Sequence, residues 1–313
     1  MAKIAVELHR ALTRRTLSGD PGHTSARRLA QGDGWTVSDV ICTSGPQDRP
    51  FEEQHSAFSI AIVAAGSFQY RSAAGHELMT PGSLLLGNAG QCFECRHQHG
   101  AGDRSLSFGY APDYFESIAA DAGVRGTTPD FRALRLPPLR VFSTLVARAL
   151  AGLAGSAVVP CDVPWEELSL QLAAQAVQLG TGSLRDPNGP TASAVARVTR
   201  AVRLIERNIE PNPEAALTLG SLAREAGLSP YHFLRTFEGL TGVTPHKYVL
   251  RARLREAAMR LAAEPARVLD IALDCGFGDV SNFNHAFRAE FGVSPRIFRS
   301  NARQQRGCRE RSD

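Results

Sequence analysis

The chain has 313 residues, 43% hydrophobic and 21% charged, enough for two domains with separate cores and too apolar for a disordered protein. Its net charge of +4 is unevenly spread: residues 1–190 hold 16 basic and 18 acidic side chains, residues 191–313 hold 19 and 13, so only the C-terminal part has a balance suited to nucleic acid. No apolar run reaches the roughly 18 residues of a membrane span and the first thirty residues lack a signal-peptide core, so the expectation is a cytoplasmic protein with no membrane partner.

In chain order, MAKIAVELHRALTRR is basic and mildly amphipathic and reads as a short N-terminal helix, with an organelle presequence or a membrane-surface helix as the alternatives. Residues 1–34 are taken as an N-terminal extension. Residues 35–110 read as β-rich, with apolar runs AFSIAIVAAGSFQYRS and SLLLGNAG. Turn signals fall at Gly45-Pro46, Ala74-Gly75, Pro81-Gly82 and Ala101-Gly102. Many short strands suggest a sandwich or small barrel. The segment Gly75–Gly90, GHELMTPGSLLLGNAG, resembles the strand-turn-strand of cupin-like sensing domains, which implies a small-molecule effector held in the barrel.

Six cysteines lie irregularly at 42, 92, 95, 161, 275 and 308, which does not suggest a disulfide framework; Cys275 reads as core. QCFECRHQHG is the one cluster with metal-like spacing. On a strand Cys95, His97 and His99 would share a face and could hold zinc or copper, while Cys92 would need a bend to join them. Against this, the C-x-x-C is not paired with a second one. A metal- or thiol-responsive regulator is therefore an alternative, and otherwise no cofactor is expected.

After Pro112 the pattern turns helical, in DYFESIAADAG, PLRVFSTLVARALAGL and PWEELSLQLAAQAVQL. Phe142, Leu145, Val146, Ala149 and Leu153 form a stripe suited equally to packing on the barrel or to a symmetric homodimer interface. Residues 35–180 are thus assigned to sensing and possible dimerisation. The polar TGSLRDPNGP, 181–190, reads as a linker.

Residues 218–298 contain one pattern written twice. Leu222-Ala223, Ala226-Gly227-Leu228, Phe233, Phe237, Gly242 and Thr244-Pro245 are answered by Ile271-Ala272, Cys275-Gly276-Phe277, Phe283, Phe287, Gly292 and Ser294-Pro295. The offset is 49 residues before the turn and 50 after it. Each unit opens with a short amphipathic helix ended by Gly227 or Gly276. A second helix follows, capped by Ser229 (with Pro230 in its first turn) or Asp279. Phe233, Phe237 and Leu240, and their counterparts Phe283, Phe287 and Phe291, face a core. The opposite faces carry Tyr231, His232, Arg235 and Glu238, and Ser281, Asn282, Asn284, His285 and Arg288, which can reach base edges or phosphates. Between the units, Pro245 to the residue before Pro265 reads as one helix. Roughly 18 of its residues at about 1.5 Å rise give about 27 Å, which approaches the roughly 34 Å between successive major grooves. Lys247, Arg251, Arg253, Arg255 and Arg260 on it would neutralise phosphates.

Residues Leu219 to Phe298, and especially Gly276-Phe277, Asp279, Ser281, Phe283, Phe287, Phe291-Gly292 and Ser294-Pro295, resemble the DNA-binding domain of the AraC/XylS family of bacterial transcription regulators. The resemblance implies that residues 191–300 form two helix-turn-helix units joined by a long helix, followed by a basic tail, 301–313. It implies base contacts by Tyr231, Leu234 and Arg235, then by Ser281, Asn282, Asn284 and His285. Where members commonly carry arginine in the second recognition helix this chain has His285, a weaker phosphate contact. The expected fold class is α+β: a cupin-like barrel or sandwich with following helices, then an all-α domain. The expected function is sequence-specific regulation of transcription on double-stranded promoter DNA, with RNA polymerase as a further partner. A cupin metalloenzyme fused to the same module is disfavoured, because His97-Gln98-His99 follows the G-x5-P-G segment rather than preceding it. No phosphate loop, G-x-S-x-G elbow or H-E-x-x-H pair is present.

Overall fold

The computed structural model describes residues 3–50, 52–124, 129–154, 163–180, 191–209 and 217–307. The expected linker, 181–190, and the end of the tail, 308–313, lie outside the described residues.

The N-terminal part is a two-sheet antiparallel sandwich preceded by a helix. The six-stranded sheet runs β1 (Thr24–Gly32), β2 (Trp35–Cys42), β9 (Asp103–Tyr110), β4 (Phe58–Gly66), β7 (Leu84–Gly87), β10 (Arg135–Leu136). The four-stranded sheet runs β3 (Glu52–Gln54), β8 (Cys92–Arg96), β5 (Phe68–Ser72), β6 (Gly75–Met79). Alternation drives this arrangement: in β2 every second residue from Trp35 to Asp39 is buried while the intervening ones are half-exposed. The central strand β4 is apolar along nearly its whole length because both its faces are covered. The sheet begins at Thr24, within the segment read as an extension. β1 is mostly polar and exposed, so no hydrophobic pattern marks it, and its pairing with β2 is what makes it a strand.

Helix α1 (Lys3–Ser18) buries Ile4 and Leu8 in a core between the six-stranded sheet and the helices that cover it. It is tied down by Arg104, which is 2% exposed, donates to Asp39 through two nitrogens at 2.9 Å and reaches Ile4 O at 3.0 Å. Burial works against the Asp39 carboxylate, but Arg104 and Arg27 hold its pKa below the ordinary value. Helices α2 (Pro112–Asp121), α3 (Arg140–Ala154) and α4 (Trp165–Gly180) cover one side. The α3 stripe Phe142, Leu145, Val146, Ala149 and Leu153 is buried in this same core, so it packs within the chain and is not a free dimerisation face.

The C-terminal part is all helical: α5 (Ala192–Arg207), α6 (Leu219–Ala226), α7 (Pro230–Thr241), α8 (Pro245–Ala263), α9 (Val268–Asp274), α10 (Val280–Phe291) and α11 (Pro295–Gly307). One core gathers α5, α6, α7 and the first half of α8 around Phe233, Phe237 and Tyr248. A second gathers the rest of α8 with α9, α10 and α11 around Phe283, Phe287, Phe291 and Phe298. The residues read as the start of a tail, 301–307, continue α11.

The two parts share cores. Ala147 and Ala151 of α3 sit in the second helical core, Leu78 of β6 sits in the first, and Met259 of α8 packs into the core between the six-stranded sheet and its covering helices.

Candidate nucleic-acid interface

Local chemistry fixes both helix-turn-helix units. Thr218 and Ser221 form a reciprocal capping box at the start of α6, and Gly227 ends it at φ +64°, a left-handed conformation that side chains with a Cβ resist. Ser229 accepts from the His232 amide and Pro230 opens α7. In the second unit Gly276 lies at φ +81°, and Asp279 accepts from the Asn282 amide at 2.7 Å to start α10. Ala223 and Ala272 are buried where the paired helices meet, as the small residues there suggest. Helix α8 runs 19 residues, about 28 Å at 1.5 Å per residue, and carries one unit at each end.

With their aromatic faces buried, α7 and α10 present polar faces outward. Tyr231 is 64% exposed, and His232 and Arg235 are exposed beside it. Arg235 Nη1 donates to the Tyr231 hydroxyl at 3.4 Å one turn away. Leu234 is half-buried. On α10, Ser281, Asn282, Asn284, His285 and Arg288 are all exposed. Ser281, Asn284, His285 and Arg288 line a groove of about 1700 Å³, completed by Arg267, Val268, Leu269 and α11 residues including Arg296, Arg299 and Arg303. Among the described residues, no acidic side chain lines it. The Nε and Nη2 of Arg299 are buried there without a hydrogen-bond partner among the described residues. Burial and the neighbouring Arg303 lower its pKa, a cationic site short of an anion. Arg296 and Arg299 were not singled out in the sequence and Arg303 was read only as part of a basic tail; their spacing of three and four residues was the available signal.

The spacer arginines divide differently from expectation. Lys247 is exposed at the start of α8. Arg251 is not free for phosphate: its Nε donates to Glu290 Oε1 at 3.0 Å and its Nη1 to Pro138 O. Arg253 is half-buried against the second turn, where a Cβ on Gly276 would meet its Cζ at 2.9 Å. Arg255 faces Glu206 at 3.3 Å, and Arg260 pairs with Asp274 at 2.8 Å and Glu264 at 3.1 Å. A helix buried between two cores uses its arginines internally, which a charge count cannot reveal.

Two of these, Arg251 and Arg255, help lock the helical part onto the N-terminal part. The Pro81-Gly82 turn inserts against α8: Tyr248 Oη donates to Pro81 O at 3.3 Å, and Gly82, at φ +88°, leaves the space that Arg255 Nη1 fills. Arg135 reaches Thr241 O at 3.0 Å at the end of α7, while Ser143 on α3 donates to Glu290 on α10. Between α1, the β4 bulge at Val63–Ala65, α5 and α8 lies a cavity of about 440 Å³. Ile4, Leu8, Leu12, Ile209, Ala252 and Met259 supply its apolar wall, and Arg203, Glu206, Arg207 and Arg255 its polar one.

The expected metal cluster is rearranged. Cys92 is exposed on β8, and Cys95 lies opposite Tyr70, its thiol pushed well up by burial. His99 is half-buried, with its Nε2 unpartnered among the described residues. His97, just past β8, instead turns inward and meets Asp103 Oδ1 at 2.7 Å. Asp103 stands directly across from Cys42 in the β2–β9 register, so the group that converges is Cys42, His97 and Asp103, all buried, with ligand atoms within 4.8 Å of one another. Burial would lower the His97 pKa, but hydrogen bonds to Asp103 and Cys42 raise it to about 9; His97 in turn overcomes burial to lower that of Cys42. Cys42 and Asp103 lie 61 positions apart, and only strand register brings them together. Cys275 is core as expected, its thiol pushed up to about 12 by burial.

Residues 38–160 match the model of an AraC-like ligand binding domain, and residues 222–301 that of a helix-turn-helix domain. Over 260 residues the chain is 27% identical to the transcriptional activator NphR of a Rhodococcus species, covering 77% of this chain and 69% of that one. It is 32% identical over 104 residues to the probable transcription factor PqrA of Proteus vulgaris, covering 33% of this chain and 84% of that one. Of the regulators LumQ of Photobacterium leiognathi and MtrA of Neisseria gonorrhoeae it spans only 37% and 35% of the length. Among solved structures, an AraC-type regulator of Chromobacterium violaceum aligns at 32% identity and a TM-score of 0.33, over 36% of this chain and 98% of that one. The repeated capped units, the basic groove and the sandwich within the segment that matches the ligand-binding model therefore belong to one kind of molecule, and the chain is a member of the AraC family of DNA-binding transcription regulators.

Proposed function

We propose that α7 and α10 read base edges in successive major grooves of promoter DNA. Tyr231, His232, Leu234 and Arg235 act in one half-site, and Ser281, Asn282, Asn284, His285 and Arg288 in the other. Lys247 and the α11 arginines Arg296, Arg299 and Arg303 neutralise phosphates. The observation that carries this reading is the acid-free groove beside α10, with an arginine whose buried nitrogens lack partners. Footprinting the purified chain across the promoters it occupies in the cell tests it: two protected major grooves about one helical turn apart are expected, and a single protected groove would refute it.

A small-molecule effector acts, in this reading, at the 440 Å³ cavity rather than inside the sandwich, whose interior is filled by Tyr70, Phe68, Met79 and Val63. A ligand there touches both halves at once, so its binding energy bears directly on how α5 and α8 are held. RNA polymerase is the further partner a regulator of this kind addresses from its promoter, in the cytoplasm. A homodimer would have to use a surface other than the α3 stripe. The similar proteins are transcription regulators, which favours a regulator over an enzyme.

A further inference from the structure

Three ionisable side chains converge beneath the end of α1, from the last residue of β2, the turn after β8 and the first residue of β9. Cys42, His97 and Asp103 are each 7% exposed or less. Asp103 turns one oxygen to His97 and the other to Ser105 Oγ at 3.2 Å. Burying three such groups is expensive unless they act on one another or on something between them. The DNA-reading function accounts for none of them.

The donor set is one thiol sulfur, one imidazole nitrogen and one carboxylate oxygen, with every pair of donor atoms within 4.8 Å. Thiolate with imidazole suits zinc and its transition-metal neighbours and is poorly matched to magnesium or calcium, which take oxygen. Ligands about 2.0–2.3 Å from a central ion stand roughly 3–4 Å apart, so the His97–Asp103 separation of 2.7 Å needs only a small opening. Three protein ligands leave a fourth position for water.

We propose that Cys42, His97 and Asp103 bind one zinc-class divalent cation, and that its occupancy fixes the 97–103 segment against the DNA-binding half. That segment is the connection. Arg203 on α5 donates to His99 O at 2.9 Å, and Gly102, at φ +69°, holds Cys42 O and the Leu8 and Leu12 side chains of α1 against it. Leu8, Leu12 and Arg203 also line the interdomain cavity. The metal is thus a second input to the regulator, and this regulatory half of the proposal rests on the DNA-reading function above.

Loading the purified full-length chain with cobalt(II) as a spectroscopic stand-in for zinc reads the site directly. The expected result is a thiolate-to-cobalt charge-transfer band at one equivalent, bleached by added zinc. Cys42→Ser and Asp103→Asn should abolish it, and Cys92→Ser on the exposed strand should keep it. Absence of the band in the wild-type chain, or its survival in Cys42→Ser, overturns the metal site. Should the Cys42 variant not fold, alkylation of the wild-type chain decides: zinc should slow modification of Cys42 and leave Cys92 unchanged, and equal rates overturn the site. DNA affinity with and without zinc is then compared at fixed salt, where a change of about fivefold or more is expected. Zinc binding that leaves DNA affinity untouched removes the regulatory half alone. A chain that binds DNA but gives no cobalt band loses the metal site while its DNA reading stands.

Discussion

At the scale of single residues, each exposed side chain on the recognition helices makes a distinct demand on a DNA-binding experiment. Tyr231→Ala or Arg235→Ala should weaken binding to the specific site by about 1–3 kcal/mol with less effect on random DNA; band-shift titration on both duplexes checks it, and equal losses would contradict base reading. If Arg299 neutralises phosphate as proposed, Arg299→Ala should weaken specific and random DNA alike and reduce the slope of log K against log salt by about 1. His55 makes a different demand. It stacks on Phe93 with ring centroids 4.2 Å apart and bonds the Tyr70 hydroxyl at 2.8 Å, and burial lowers its pKa to about 4. A depressed histidine pKa means the unfolded chain takes up the proton first as pH falls. Its contribution is therefore complete above about pH 6.5 and lost on the way down to about pH 4. Wild-type stability should drop across that window by up to about 3 kcal/mol more than that of His55→Phe, measured by urea unfolding at each pH.

At the scale of elements, both units depend on a turn that only glycine closes cheaply. Gly227 sits at φ +64°, and Arg197 Nη1 donates to its carbonyl at 2.6 Å, so a Cβ there is strained and meets Arg197 Nη1 at 3.2 Å. Gly227→Ala should cost about 1–2 kcal/mol of stability in thermal or urea unfolding, and hydrogen exchange should locate the loss in α6 and α7. These elements were legible in the sequence because their determinants are local: cap, glycine, aromatic spacing. The spacer helix was equally legible in extent, Pro245 to Ala263, but not in the fate of its arginines. Arg251, Arg253 and Arg255 look like a solvated basic stripe, yet Arg251 is spent on Glu290 and Arg255 on Glu206, while Arg253 is half-buried beside Gly276 with its Nε unpartnered among the described residues, because α8 is enclosed by helices on several sides and by the Pro81-Gly82 turn.

At the scale of the whole molecule, the sandwich and the DNA-reading half behave as one packed body. Tyr248 and Glu206 meet at 3.3 Å beside Pro81 O, and burial raises the pKa of both the phenol and the carboxyl. Glu290 joins α10 to Ser143 and Arg251. Releasing this lock should change the orientation of the reading helices without touching them. Glu290→Ala or Tyr248→Phe should shift promoter affinity or effector response several-fold while leaving random-DNA binding nearly unchanged, as followed by anisotropy titration. Unchanged promoter affinity and effector response in both variants would remove the coupling role of the interface.

The sequence by itself determined the repeated capped units, the helix between them, the faces they expose and the strand-rich character of the first half. All of these follow from periodicity, caps and turns acting within a few residues. Tertiary structure alone decided which buried groups meet. Strand register put Asp103 beside Cys42 and turned His97 toward them, leaving Cys95 and His99 apart, and interdomain packing withdrew Arg251 from solvent and opened a cavity between the halves. The physical reason is range: a helix cap acts over a few positions, whereas a side chain's partners across a sheet or an interface depend on chain segments tens of residues away.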